Sequence, residues 1–135
     1  DTIVLCVPPA SFPDIQIDAT DKLVISVMAG VTLDRIASQT GAARVVRAMS
    51  SPAASLGLAY SPWFASDAVT VQDREVVRQL LEACGATDQV FEESRIDHFT
   101  ALTRRWQTAL CASFSLQGAP CWHRTARGLP ITSGG

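Results

Sequence analysis

Side chains able to do acid–base, nucleophilic or metal chemistry are few in this 135-residue chain, and their spacing argues against most of that chemistry. Cys111, Cys121 and His123 are ligating types, but three groups at irregular spacing with no fourth partner do not make a zinc site, so no metal is expected. With Cys6 and Cys84 they account for all four cysteines; none has Cys-x-x-Cys spacing, and a set of mostly buried thiols is expected. Ser50, Ser51 and Ser55 cluster without a Gly-x-Ser-x-Gly elbow, which removes the basis for a hydrolase. His98 is able to donate a proton, although a packed helical histidine is the simpler reading. No catalytic acid, base or nucleophile is assigned.

What remains is backbone chemistry. Cys6-Val-Pro-Pro9, Met28-Ala-Gly-Val31 and Met49-Ser-Ser-Pro52 are short, uncharged and rich in small residues, so a flat ligand can approach their main chain closely. Turn geometry alone would account for Gly and Pro in any one of them. All three at equivalent strand ends would suit a nucleotide-type crevice.

The elements that must position them alternate. Thr2–Val7 is a continuous β-branched and apolar run closed by Pro8-Pro9, expected as a strand buried on both faces; Lys22–Met28 repeats the pattern. Thr32 is placed to cap a short helix with Leu33, Ile36 and Ala37 on one face and Gly41 as its stop. Arg44–Ala48 reads as a strand, and residues 49–68 as loop with a strand near Leu56–Tyr60. Thr70 and Asp73 have capping-box spacing ahead of Val76, Val77, Leu80, Leu81 and Cys84, a stripe that Gly85 terminates. Gln89–Phe91 reads as a short strand. From Ser94 a helical period follows, with Ile96, Phe99, Thr103, Trp106 and Leu110. The fold class is therefore α/β, a partial Rossmann-type parallel sheet with flanking helices followed by a C-terminal helical segment.

Composition sets the outer limits. At 47% hydrophobic the chain can bury a core, and no apolar run reaches the roughly 20 residues needed to span a bilayer, so a soluble cytoplasmic protein without membrane contact is expected. All 13 acids lie in residues 1–99, whereas residues 100–135 carry Arg104, Arg105, Arg124 and Arg127 and no acid. Four scattered arginines beside an acidic body make no phosphate-tracking stripe; no nucleic-acid partner is expected.

The blocks Leu23–Thr32, Ala43–Met49 with Pro52, Asp73-Arg with Leu80-Leu81 and Gly85, Phe91–Asp97 and Thr100-Ala-Leu102 resemble the pyrroline-5-carboxylate reductase family over about residues 2–103. That resemblance implies reduction of the cyclic imine 1-pyrroline-5-carboxylate to proline with NADP or NAD as the cofactor couple. It also implies that residues 1–92 are the C-terminal part of a Rossmann-like dinucleotide-binding domain, and residues 93–135 the start of a helical domain, with a divergent tail, that pairs two copies into an intertwined homo-oligomer. By the same resemblance Cys6, Val7, Pro8 and Pro9 match the family's Ala-Val-Lys-Pro turn on the cofactor, and Met28, Ala29 and Gly30 its Ala-Ala-Gly segment near the nicotinamide. The resemblance also implies that Glu93 and Thr103 fall at the small-molecule substrate pocket. A solvated charge at a helix start is the alternative for Glu93.

Departures accompany the matches. Pro8 stands where the family has lysine, and Met49-Ser-Ser-Pro52 is one residue shorter than Met-x-Asn-x-Pro and lacks the Asn. No Gly-x-Gly-x-x-Gly occurs in the chain, so a phosphate cradle at a helix N-terminus is not expected within it. After Thr103 the family continues Gly-Ser-Gly-Pro-Ala; here Arg104-Arg-Trp follows, and the acid-free tail is expected to be a displaced reading frame or divergent replacement, with Ala126–Pro130 a faint return of a Gly-Leu-Pro turn. Two further readings stand beside the reductase: a non-catalytic remnant or interaction module with a half-Rossmann fold, and a related imine or β-hydroxyacid reductase.

Overall fold

The computed structural model describes residues 1–51, 54 and 56–102, of which Asp1–Ala101 form one compact unit. Its elements are β1 (Thr2–Leu5), a 3-10 turn (Pro9–Asp14), β2 (Leu23–Ser26), α1 (Leu33–Thr40), β3 (Arg44–Ala48), β4 (Ala59–Ala65), α2 (Val71–Glu82) and β5 (Gly85–Gln89). Residues 93–101 are helical and are called α3 below. The five strands form one sheet in the order β1-β2-β3-β4-β5, with β1, β2 and β3 parallel, β4 antiparallel to β3, and β5 parallel to β4. Among the described residues no helix is long and apolar enough to cross a membrane.

Strand alternation divides the core in two. Val24 and Val45 point to the face covered by α1 and the 3-10 turn, where Phe12, Ile36 and Leu33 close the layer. Leu23, Ile25 and Val46 point to the opposite face, covered by Val77 and Leu81 of α2. All four residues of β2 are buried, as the unbroken apolar run requires. β1 departs from that expectation: Thr2 is exposed and Val4 is 43% accessible, because β1 is the outer strand with a neighbour on one side only.

The ladder between β3 and the antiparallel β4 has a local stop. Pro62 sits inside β4, an inner strand, where a missing N–H would ordinarily break a ladder. Its carbonyl accepts from the Met49 N–H at 3.0 Å, but it has no N–H to return, and β3 ends at Ala48. Strand β4 runs Ala59–Ala65 rather than ending at Tyr60, and β5 covers Gly85–Gln89 rather than Gln89–Phe91.

Helix ends follow the capping chemistry. Thr32 accepts from the Arg35 N–H, and Gly41 stops α1 at φ 70° with its N–H on the Ala37 carbonyl. Thr70 and Asp73 form a full capping box, and Asp73 also meets Arg44 at 2.8 Å. The α2 stripe is narrower than its sequence suggests: Val77 and Leu81 are buried, whereas Val76 and Leu80 are 44% and 40% exposed. The helix ends at Glu82, so Cys84 lies past it, half-buried, and Gly85 belongs to β5.

Replacing the cap, Thr70→Ala, is expected to cost about 1 kcal/mol in chemical denaturation. Burial acts to raise the Asp73 carboxyl, but hydrogen bonds from Thr70 and Arg44 outweigh it and hold the group below the ordinary carboxylate range. A depressed folded-state value contributes stability above the unfolded pKa, near about 4, and loses it as pH falls through the folded value. Thr70→Ala is therefore expected to flatten the loss of stability below about pH 4, measured as the denaturation midpoint against pH.

Candidate functional site

The parallel strands β1, β2 and β3 bring their carboxyl ends together. Leu5 is in register with Ser26, and Ser26 with Arg47, so the chains leave the sheet side by side. The Val27 N–H donates to the Leu5 carbonyl at 3.1 Å, joining the starts of the first two loops. Cys6, Pro8 and Pro9 are exposed and Val7 is half-buried against the α1-side core. Pro8 opens the 3-10 turn, its carbonyl accepting from the Ser11 N–H at 2.9 Å. The exposed Cys6 thiol corrects the expectation of mostly buried cysteines: β1 ends at Leu5, and Cys6 lies beyond the cover of the core.

Met28 is buried, and its N–H is 3.3 Å from the Ser26 hydroxyl, a buried side chain directly beneath the loop. Ala29 and Gly30 are exposed, and Gly30 takes φ 72° with open space where a Cβ would stand. This backbone is accessible in the way a flat ligand would require. Met49 is buried, Ser50 exposed and Ser51 half-buried; Pro52 and Ser55 lie outside the described residues. Thr103, Trp106, Cys111, Cys121, His123 and the arginine-bearing tail also lie outside them. Two surface depressions, of 510 and 390 Å³, flank α1, and neither is lined by residues 6–9 or 28–30.

Glu93 is not a solvated charge. It stands at the first helical residue of α3, and its Oε1 accepts from Arg47 Nη1 at 2.7 Å and from the Leu33 N–H, the first of α1, at 2.8 Å. Arg47 Nη2 reaches Asp97 Oδ1 at 2.8 Å. The three side chains are 1%, 29% and 50% exposed for Arg47, Glu93 and Asp97. Arg47 Nε is buried without a hydrogen-bond partner among the described residues, which costs about 1–3 kcal/mol.

This triad escapes a reading by composition and period. Arg47 sits in an apolar strand run and looks like a surface base. The signal present in the sequence is Glu93 and Asp97 at i, i+4, two like charges on one helix face that repel unless a cation lies between them. His98 is exposed on α3 rather than packed, because Ile96 is the residue that turns inward. Among the described residues no group of His, Cys, Asp and Glu is placed to hold a metal ion.

No family profile matches the chain. A curated relative, pyrroline-5-carboxylate reductase of Vibrio alginolyticus, is 36% identical over 107 residues, 75% of this chain and 39% of the relative. The solved 1-pyrroline-5-carboxylate reductase of Streptococcus pyogenes superimposes with a TM-score of 0.69 at 24% identity, covering 89% of this chain and 49% of its own. The enzyme of Coxiella burnetii gives 0.65 at 26% identity over 88% of this chain and 49% of its own. That of Plasmodium falciparum, solved with NADP bound, gives 0.66 at 17% identity over 87% and 51%. The chain thus spans about two fifths of the curated relative and half of the solved ones. The mixed five-stranded sheet with flanking helices is the fold these structures share with it.

Proposed function

We infer that this chain, a sequence and structural relative of the pyrroline-5-carboxylate reductases, is the part of an NAD(P)H-dependent cyclic-imine reductase that carries the nicotinamide-facing strand ends. The observation that carries the reading is the convergence of residues 6–9, 28–30 and 49–51 at one end of three in-register parallel strands. In open parallel sheets that end is where ligands lie.

Bound dihydronicotinamide would supply a hydride to the C=N carbon of 1-pyrroline-5-carboxylate. Such a step asks the protein for positioning more than for a strong acid or base, which agrees with a site of small residues and main chain. Met28, Ala29 and Gly30 would support the ring, with Gly30 keeping its side clear. Cys6, Val7, Pro8 and Pro9 would border the cofactor, and Glu93 and Thr103 the substrate. No glycine-rich strand-to-helix turn occurs within the chain, so these residues fit the nicotinamide end of the cofactor and not its diphosphate. Pairing of two copies through later helices belongs to the same reading.

The test is a fluorescence titration with NADPH alongside an oxidation assay. The protein as the gene encodes it is expected to oxidise NADPH on addition of 1-pyrroline-5-carboxylate. The 135-residue chain alone is expected to bind NADPH with a Kd of roughly 100 μM or weaker. Nanomolar binding by the chain alone would place the diphosphate grip within these residues and contradict that division. Oxidation with other imines only would change the substrate, and no oxidation with any would leave a non-catalytic module.

A further inference from the structure

We propose that Arg47 is a positioning residue for the strand-end site, an assignment that rests on the reductase reading above. Two pieces of the site hang from its guanidinium and a third from its main chain. Through Glu93 it fixes the first N–H of α1, and α1 begins only two residues after the Met28–Val31 segment. Through Asp97 it holds α3, which bears Glu93. Through its own backbone it fixes the end of β3, two residues before Met49.

Ser26 is the in-register neighbour of Arg47 on β2 and holds the Met28 N–H. Two buried polar side chains, Ser26 and Arg47, thus stand side by side in register beneath both loops, on the face whose core is otherwise apolar. Stability does not explain it. Buried ion triads replaced by apolar residues of similar volume often lose nothing, and this one leaves Arg47 Nε without a partner among the described residues. What the arginine supplies is a fork: two N–H groups at a fixed spacing to two carboxylates one helical turn apart, a geometry no ammonium reproduces. The fork sets the distance between α1 and α3, and with it the distance between the nicotinamide-facing loop and Glu93.

Amide hydrogen exchange on the full chain tests this without any ligand. Arg47→Lys keeps the charge and loses the fork. Its exchange is expected to rise about tenfold at Leu33 and Met28, whose N–H groups are held by Glu93 and Ser26, with the amides of α2 and β5 unchanged. The neutral triple variant Arg47→Met/Glu93→Gln/Asp97→Asn serves as the second arm. Its denaturation midpoint is expected to return close to that of the wild type while exchange at Leu33 stays fast. Acceleration spread evenly over the unit, or wild-type protection at Met28 and Leu33 in either variant, would overturn the proposal by reducing Arg47 to a stability element. Exchange confined to the loops in a protein that never oxidises NADPH would instead leave the hold of Arg47 standing and remove the reductase reading.

Discussion

Arg47→Met is expected to lower the unfolding free energy by about 3–5 kcal/mol, read as a shift of the denaturation midpoint at unchanged slope. The side chain is 1% exposed and Glu93 29%, so the cost falls on the cavity and on Glu93, whereas Asp97, half exposed, turns to water more easily. Glu93 and Asp97 are left facing each other across one helical turn with no cation between them, and like charges at that spacing repel. Glu93 keeps the Leu33 N–H, which holds its carboxylate where the guanidinium stood and where methionine offers no positive charge. A loss under about 1 kcal/mol would mean that the triad relaxes into solvent and carries little.

Gly85→Ala is expected to cost about 3 kcal/mol or more by the same measurement. Gly85 opens β5 at φ 140°, and a Cβ placed there would stand 2.1 Å from the Ala59 carbonyl oxygen, with the Ala59 nitrogen and carbonyl carbon at 2.7 and 2.9 Å. All three atoms are backbone of the paired strand β4, so no side-chain rotation relieves the overlap; β5 must move away from β4. Gly30→Ala is the control. Gly30 also has positive φ, at 72°, but nothing lies within 4 Å of its virtual Cβ, and only the intrinsic left-handed penalty of about 1–2 kcal/mol applies.

The sequence carried the local signals well. Thr32, Gly41, Thr70 and Asp73 mark helix ends through interactions within a few residues, and each is found in its expected place. The apolar runs at Leu23 and Arg44 became inner strands because unbroken hydrophobicity needs cover on both faces. The three strand-end segments were legible for the same reason: once the strands are parallel, their exits coincide.

What stayed hidden is non-local. Arg47 meets partners 46 and 50 residues away, and Glu93 meets Leu33 across 60; no periodicity encodes a contact of that kind. Phe12, fully buried in what reads as a proline-interrupted linker, depends on the two bonds its neighbourhood makes to Gln39. The exposure of Val4 depends on sheet order, which a strand's own residues do not state. Strand β4 was missed past Tyr60 because Pro62 argues against a central strand on propensity alone.

That proline bears on the segment between Met49 and Ala59. Because the hydrogen-bond zipper between β3 and β4 is stopped by a chemical block, the alignment of the two strands does not depend on how many residues bridge them. Residues can be gained or lost in the bridge without sliding Val46 from Ala65 or Ala48 from Trp63. A change of length in the bridge is therefore expected to leave the framework beneath it in the same alignment.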